Sequence, residues 1–511
     1  MDSKQLREMG KRMVDFVADY WDSLPNREPL PCLTPGFIKS FVPEAPPTEI
    51  ENWEDIFKDI EPVVLAGNTH WQHPNFFAYF PTACSYHSIL GDILSSGLAS
   101  VGFSWSSSPS MTELELRMTD WLAKILHLPD AFLNDNDLPG GGIIQNTASD
   151  STFIAMLSAR ARAVEVNKSK NNIEGKDSDK SVYTQIVEDQ FGTINHPGFH
   201  DPQLFPRLIA YCSDQAHSSV EKAAMLNGVK LRKLRSQRGG QYDNFHVAAE
   251  TLDAAIKEDR RNNLIPFIFI LTVGTTSTCG IDSIDELAPI CCREGIWVHV
   301  DSAYAGSFMI CPEYRDLCKG LEFVDSFNTN VHKSLMINFD CSPMWFKNAA
   351  EAVKYFKVDP PYLKHEHQKA AMDYRHLQIA LGRRFRSLKV WFVLRNIGVQ
   401  QLQNYQQKKT AVTLFINKLI ATDPLFELFV PRQLALVCFR LKSSNNEINE
   451  HLYQQINSDR QIHLTSSNVN GIYFLRFAVC SPKTTEENVK YAYSIIRAIA
   501  LKISKPLSAS G

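Results

Sequence analysis

Three short apolar segments constrain this chain more than any other feature: Leu208-Ile-Ala-Tyr-Cys212, Phe267-Ile-Phe-Ile-Leu-Thr-Val273 and Ile296-Trp-Val-His-Val300. Each is too short for a packed helix, and none alternates apolar with polar as a half-exposed strand would. They predict strands buried on both faces, which is the signature of a largely parallel sheet with helices on either side. The stretches between them read as helices, so the expected class is α/β. With 511 residues, 44% of them hydrophobic, the chain has room for two or three domains.

Charge and cysteine usage narrow the function classes. Lys plus Arg number 53 against 56 Asp plus Glu, a formal net charge of −3, so no basic excess points to nucleic acid or to an anionic membrane surface. Apolar runs reach about ten residues, as at 264–273, well below the ~18 that suggest a membrane span. The first dozen residues alternate charges where a secretory signal carries an apolar core, so a cytoplasmic protein is expected. Eleven scattered cysteines with no Cys-x-x-Cys pair fit reduced thiols better than a disulfide framework or a zinc site.

Periodicity divides the chain further. Leu6, Met9, Met13, Phe16, Val17, Tyr20 and Trp21 recur at helical spacing, and prolines between Pro25 and Pro47 then block regular helix. Residues 1–85 are therefore expected to form a helical arm that needs a partner surface to cover it. A large domain is expected over 86–388 and a small α+β domain over 389–511. Residues 112–126 read as a helix with Glu113 and Glu115 in its first turn, where they suit the macrodipole. Residues 152–164 read as a helix after a glycine-rich turn, and Thr484-Thr485-Glu486-Glu487 as a capping box before the last helix. The polar stretch 165–206 is expected to be a mobile surface insertion.

Several candidate functional residues fall where those strands end. The strand at 296–300 delivers Asp301, followed by the small Ala303, and Lys333 lies 32 positions beyond Asp301, directly after His332. A carboxylate at a strand end, a small residue two positions on and a later His-Lys pair are what a pyridoxal-phosphate site requires. The lysine forms a Schiff base, the carboxylate keeps the pyridine nitrogen protonated and the small side chain leaves room for the ring. Gly140-Gly-Gly-Ile-Ile-Gln-Asn-Thr-Ala148-Ser149 offers backbone N–H groups and a hydroxyl to a phosphate at a helix start. His217 follows the strand at 208–212, where an imidazole can stack on a flat ring and assist proton transfer.

With these residues in place, the chain resembles the group II pyridoxal-phosphate decarboxylases, and within them the aromatic L-amino acid decarboxylases and their insect relatives. The likeness covers nearly the whole chain. It is carried by His70-Trp71-x-His-Pro-x-Phe-Phe-Ala-Tyr79-Phe80-Pro81-Thr82, Gly102-Phe103-Ser-Trp105, Ser213-Asp-Gln-Ala-His217, His299-Val-Asp301-x-Ala303, His332-Lys333, Asn338-Phe-Asp-Cys341 and Leu381-Gly382-Arg-Arg-Phe-Arg386. The resemblance implies fold type I, the aspartate aminotransferase-like architecture, with pyridoxal 5'-phosphate as cofactor. It implies that Lys333 binds the cofactor covalently, Asp301 pairs with the ring nitrogen and His217 stacks on the ring. Ala148, Ser149, Asn330 and His332 would hold the phosphate, and Thr276 would contact the cofactor or the aspartate. Trp71, Tyr79, Phe80, Pro81 and Thr82, with His217 and Gly382, would line an aromatic substrate pocket. Val101 and Phe103 would enter that pocket from the partner in a homodimer.

The resemblance also marks residues 354–374 as a mobile catalytic loop in which Tyr362 protonates the substrate carbon after CO2 leaves. That step decides between an amine and, with O2 as co-substrate, an arylacetaldehyde with ammonia and peroxide. The implied activity is decarboxylation of L-DOPA or a related aromatic amino acid, with aldehyde formation as the alternative. Aldehyde-forming relatives typically carry Phe at 362, or Asn at 217 with Phe-Tyr at 79–80. This chain has Tyr362, His217 and Tyr79-Phe80. It departs from the usual decarboxylase pattern Asn-Pro-His-Lys-Trp in reading Asn330-Val-His-Lys-Ser334. His365-x-His367 has metal-pair spacing, but on a polar loop it is read as no metal site.

Overall fold

The three apolar runs form adjacent strands in one sheet. The computed structural model describes residues 1–134, 137–170, 198–368, 371–442 and 444–504. By its contacts the chain divides into two compact units, one running from Ala83 to Gln407, the other combining residues 1–82 with the chain from Lys408 onward.

In the larger unit, seven strands are β1 (Gly141–Gln145), β2 (Leu208–Ser213), β3 (Lys230–Leu234), β6 (Ile265–Thr272), β7 (Trp297–Asp301), β8 (Ser326–Asn328) and β9 (Ser342–Phe346), and a separate ribbon pairs β4 (Gln237–Gly239) with β5 (Asn244–His246). The order across the sheet is β1-β9-β8-β7-β6-β2-β3. Strands β3, β2, β6, β7 and β8 run parallel, and β9 is antiparallel to both its neighbours. Every residue of β2 and β7, and all but the first of β6, is buried, as the unbroken apolar runs require. The helix Ala148–Lys170 lays Ile154, Ala155 and Ala159 into the cluster that contains Phe267, Ile268, Ile270 and Trp297.

The smaller unit contains a four-stranded antiparallel sheet, ordered β10 (Phe426–Leu428), β11 (Leu436–Leu441), β13 (Ile472–Ala478), β12 (Thr465–Val469). Helices Asn446–Ser458 and Glu486–Ser504 contribute Leu452, Ile456, Val489 and Ile496 to its core. The segment after the N-terminal helix joins this sheet: Phe77 N–H donates to the His463 carbonyl at 2.9 Å, and its carbonyl accepts from Ala478 N–H at 2.9 Å. The Phe77 ring stacks on Phe477, 4.0 Å between centroids. The N-terminal helix, Ser3–Ser23, is capped by Asp2 and Gln5, and Trp21 is its one buried residue.

Local expectations shift in four places. The helix expected at 112–126 spans Pro109–Ile125, because a proline is tolerated in a first turn where its missing N–H has no partner anyway. Glu113 and Glu115 thus move beyond that turn. Glu115 is buried, accepts from Ile144 N–H at 2.8 Å and pairs with Arg383, itself buried. The helix expected from 152 begins at Ala148, where Thr147 and Asp150 cap each other reciprocally. The last helix is capped by Thr485 with Asn488, so the capping pair sits one residue later than Thr484 and Glu487. Within the stretch expected to be an insertion, 165–170 completes a helix, with Glu165 accepting from Tyr355 Oη at 3.0 Å, and 202–207 form a short 3-10 turn. Residues 171–197 lie outside the described residues.

The Glu115–Arg383 pair ties β1 to the chain that follows the expected loop. Replacing Glu115 by Leu leaves a guanidinium buried without its counter-charge. This is expected to cost about 3–5 kcal/mol in denaturant unfolding, and adding Arg383→Met should recover most of it.

Candidate functional site

Parallel strands deliver their following loops to one edge of the sheet, and in this sheet the strand ends are also in register. Thr272, Asp301 and Asn328 stand side by side across β6, β7 and β8. β1 runs the same way as β8, since both are antiparallel to β9, so its end, and the helix start at Ala148, open on that edge too. His217 follows β2, Gly274 follows β6, Ala303 follows β7 and Lys333 follows β8.

Asp301 is only 4% exposed. Its carboxylate accepts from Ala303 N–H at 3.1 Å and forms no ion pair with a described residue. A buried carboxylate in that state is costly unless a cation completes it. Just behind it, Trp297 Nε1–H donates to Ser326 Oγ at 2.8 Å. Ser326 Oγ lies 2.8 Å from His299 Nδ1, and His299 Nε2 lies 2.9 Å from Asn328 Oδ1. The chain of donors is consistent only if the serine hydroxyl donates to Nδ1 and Nε2–H donates to the asparagine. Burial pushes His299 down to about 4, so the ring is neutral and holds the end of β8 by hydrogen bonds alone.

His217 caps the helix Ser218–Asn227: its Nδ1 accepts from Ser219 N–H at 3.2 Å, which leaves the ring proton on Nε2. Burial lowers its pKa first of all; Asp301 raises it and Lys333 lowers it, so these three groups share one electrostatic neighbourhood. Lys333 sits in the short helix Val331–Ser334 that starts from Asn330. His332 turns its Nδ1 onto Cys341, 2.8 Å from the carbonyl and 3.0 Å from the amide, and burial pushes it to about 4.

The residues fit a flat, phosphorylated ring. Ala148 and Ser149 open a long helix, where N–H groups have no intrahelical acceptor. The Asn330 side chain is buried and its Oδ1 has no hydrogen-bond partner among the described residues; of that amide, the NH2 is the group that can donate to a phosphate. Gly306 packs so tightly that an added Cβ would stand 2.6 Å from Thr329 Oγ1, which fixes the floor of the turn. Thr276 lies exposed on the loop after β6.

Other candidates are placed differently. Trp71, Tyr79, Phe80, Pro81 and Thr82 belong to the smaller unit, where Trp71 stacks on Tyr79 at 5.4 Å and 17°. Val101 and Gly382 are neighbours in the larger unit, 3.6 Å from the Val101 Cγ1 to an added Gly382 Cβ, and Phe103 is half-buried nearby in sequence. Tyr362 is 77% exposed in the turn Pro361–Leu363 and is not brought to Lys333 in this conformation. The rest of its loop is anchored: Asp373 accepts from Trp105 N–H at 2.9 Å and lies 3.1 Å from His365 Nε2, and Arg375 bonds Asp359 at 2.8 Å. His367 meets the Trp105 ring edge-on at 4.7 Å. His365 and His367 thus have different partners. Residues 369 and 370 of this loop lie outside the described residues.

Sequence reasoning missed the supports. Arg386 bonds both oxygens of Asp340, at 3.1 and 2.9 Å, and reaches Asn146 Oδ1 at 2.7 Å, which braces the turn before Ala148. Asp282 clasps Thr272 N–H at 3.0 Å and Val247 N–H at 2.9 Å, and burial pushes its carboxyl up to about 6. Arg386 was visible in the Arg-Arg-Phe-Arg run; nothing local marks Asp282.

The chain is similar to known proteins over nearly its whole length. Residues 35–185 and 192–442 match the model of the pyridoxal-dependent decarboxylase conserved domain. The aromatic-L-amino-acid decarboxylase of Manduca sexta is 46% identical over 497 residues, 97% of this chain and 92% of that protein. Among solved structures, Oryza sativa TDC with PLP and tryptamine aligns at TM-score 0.89 and 31% identity, over 98% of this chain and 99% of that one. Rhodiola rosea 4-hydroxyphenylacetaldehyde synthase aligns at TM-score 0.86 and 31% identity, with the same coverage.

The neutral histidines carry a pH signature. His299, His332 and His463 are each held at about 4 against an ordinary 6.5, chiefly by burial. Below about pH 6.5 the unfolded chain binds protons that the folded one refuses. Stability is therefore expected to be full above pH 6.5 and to fall towards pH 4, by at most on the order of 3 kcal/mol per group. Denaturant midpoints across that range check it, and His299→Gln should flatten the slope.

Proposed function

The chain belongs to the pyridoxal-dependent decarboxylase family, and from that membership we propose that it decarboxylates aromatic L-amino acids, L-DOPA foremost, to the corresponding amines. The observation that carries the reading is the delivery of His217, Asp301 and Lys333 to the carboxyl edge of one parallel sheet, by β2, β7 and β8. Bound pyridoxal 5'-phosphate supplies an electron sink for the pair released when the bond to CO2 breaks. Lys333 would hold its aldehyde covalently. Ala148, Ser149, Asn330 and His332 would hold its phosphate, and Thr276 would contact it from the loop. Asp301 supplies the buried negative charge that keeps a ring nitrogen protonated, and Ala303 keeps the space beside it clear.

The remaining residues act on the substrate. His217, with its ring proton on Nε2, would lay its flat face on the cofactor ring and turn an N–H donor outward from its edge. Trp71, Tyr79, Phe80, Pro81 and Thr82 would form the aromatic pocket. A hydrophobic slot favours an aryl side chain and gives a side-chain carboxylate no partner. Tyr362 would deliver the proton that ends the reaction as an amine. The O2-dependent route to 3,4-dihydroxyphenylacetaldehyde is not favoured, since Tyr362, His217 and Tyr79-Phe80 all match the amine-forming choice.

A homodimer completes the proposal. Tyr86, Leu90, Ile93, Leu94, Leu98 and Val101 are all exposed, at the spacing of one stripe along the helix Tyr86–Leu98 and just beyond it. That stripe would pack on a second copy and present Val101 and Phe103 to its pocket, and the N-terminal helix would pack on the partner as well.

Incubating the holoenzyme with L-DOPA should yield dopamine and CO2 in equal amounts whether or not O2 is present; peroxide and aldehyde matching CO2 would overturn the amine reading. Lys333→Ala is expected to lose both the bound-cofactor absorbance and turnover. Tyr362→Phe should lower amine formation by about 10²-fold and divert product to aldehyde with peroxide. Leu90→Asp should yield a monomer by light scattering, with activity lost.

A further inference from the structure

The backbone of the aromatic segment adopts a conformation that its own sequence does not favour. Tyr79 has φ 58°, a left-handed value that a non-glycine residue keeps only where its surroundings hold it. Its N–H donates to Thr465 Oγ1 at 3.2 Å. Its ring lies against Trp71 and meets His463 edge-on at 5.8 Å. The next residue, Phe80, is covered by the Arg476 guanidinium, 4.8 Å from the ring centroid. Arg476 stands opposite Thr465 in the β12–β13 pairing and donates Nη1–H to the same Thr465 Oγ1 at 2.8 Å. One buried hydroxyl oxygen thus uses both lone pairs to hold the main chain of Tyr79 and the side chain that covers Phe80.

We infer that Thr465 is a positioning residue that sets the relative placement of the Tyr79 and Phe80 rings, and through them the discrimination among substrate aryl groups. The inference rests on the reading of Tyr79 and Phe80 as pocket residues. Without the hydroxyl, the Tyr79 N–H loses its acceptor and Arg476 loses one of the bonds that orient it over Phe80. Small changes of fit in an apolar pocket alter substrate discrimination by about 10–200-fold.

The test uses holoenzyme carrying Thr465→Val, Thr465→Ser or Tyr79→Ala, with kcat and KM measured for L-DOPA and L-tryptophan and bound cofactor followed by absorbance. Thr465→Val should keep its cofactor and raise KM for L-DOPA about tenfold with kcat changed less than about threefold, and should shift the kcat/KM ratio between the two substrates about tenfold. Thr465→Ser should restore all three. Wild-type KM and ratio in Thr465→Val, with Tyr79→Ala impaired, would overturn the role of Thr465 and leave the pocket reading standing. Unchanged KM in Tyr79→Ala would overturn both. Parallel loss of kcat and cofactor in the Val and Ser variants alike would mark a merely structural threonine and overturn the inference.

Discussion

Parallel pairing is the constraint from which the rest of the larger unit follows. Two neighbouring strands that run the same way cannot be joined by a tight turn; each connection must cross back over the sheet. Every strand end in such a run therefore faces the same side, and the loops that follow are gathered there whatever their sequence separation. Asp301 and Lys333 are far apart in the chain, yet β7 and β8 are neighbours and in register. The single antiparallel strand β9 serves the same end, because inserting it between β8 and β1 keeps β1 pointing the same way as the rest.

Gathering polar groups on a buried edge creates an electrostatic problem, which this sequence meets mainly with neutral donors. Trp297, Ser326, His299 and the Asn328 Oδ1 are linked by hydrogen bonds without a formal charge, and Asp282 is held by two backbone amides. Full charges are kept for pairs such as Glu115 with Arg383 and Asp340 with Arg386. Asp301 differs from Asp282 in having a single backbone amide on its carboxylate and no ion pair with a described residue, and groups left short of partners concentrate at functional sites.

Much of this was legible in the chain because burial on both faces leaves an unmistakable mark. The runs at 208–212, 267–273 and 296–300 lie in strands β2, β6 and β7, and the residue after each run is placed by that fact alone. What stayed hidden has a common cause. Glu115 looked like a helix-start acid because its partner, Arg383, is 268 positions away. Asp282 and Thr465 are ordinary polar residues whose roles exist only once distant amides are brought to them. Arg476 did leave a trace, as a charge inside the apolar run Phe474-Leu-Arg-Phe477. Tyr362 shows the limit of motif reading, since a sequence names the residue but not the position its loop occupies.

The smaller unit is built from both ends of the chain, and that has a cost in time. Tyr79 bonds a residue 386 positions later. At the ~5–20 residues per second of protein synthesis, the aromatic segment leaves the ribosome roughly twenty to eighty seconds before its strand partners exist. For that interval Phe76, Phe77 and Ala78, fully buried in the finished protein, have nothing to bury them. Assembly of this unit thus waits until β10 to β13 have been made, however early its first helix forms.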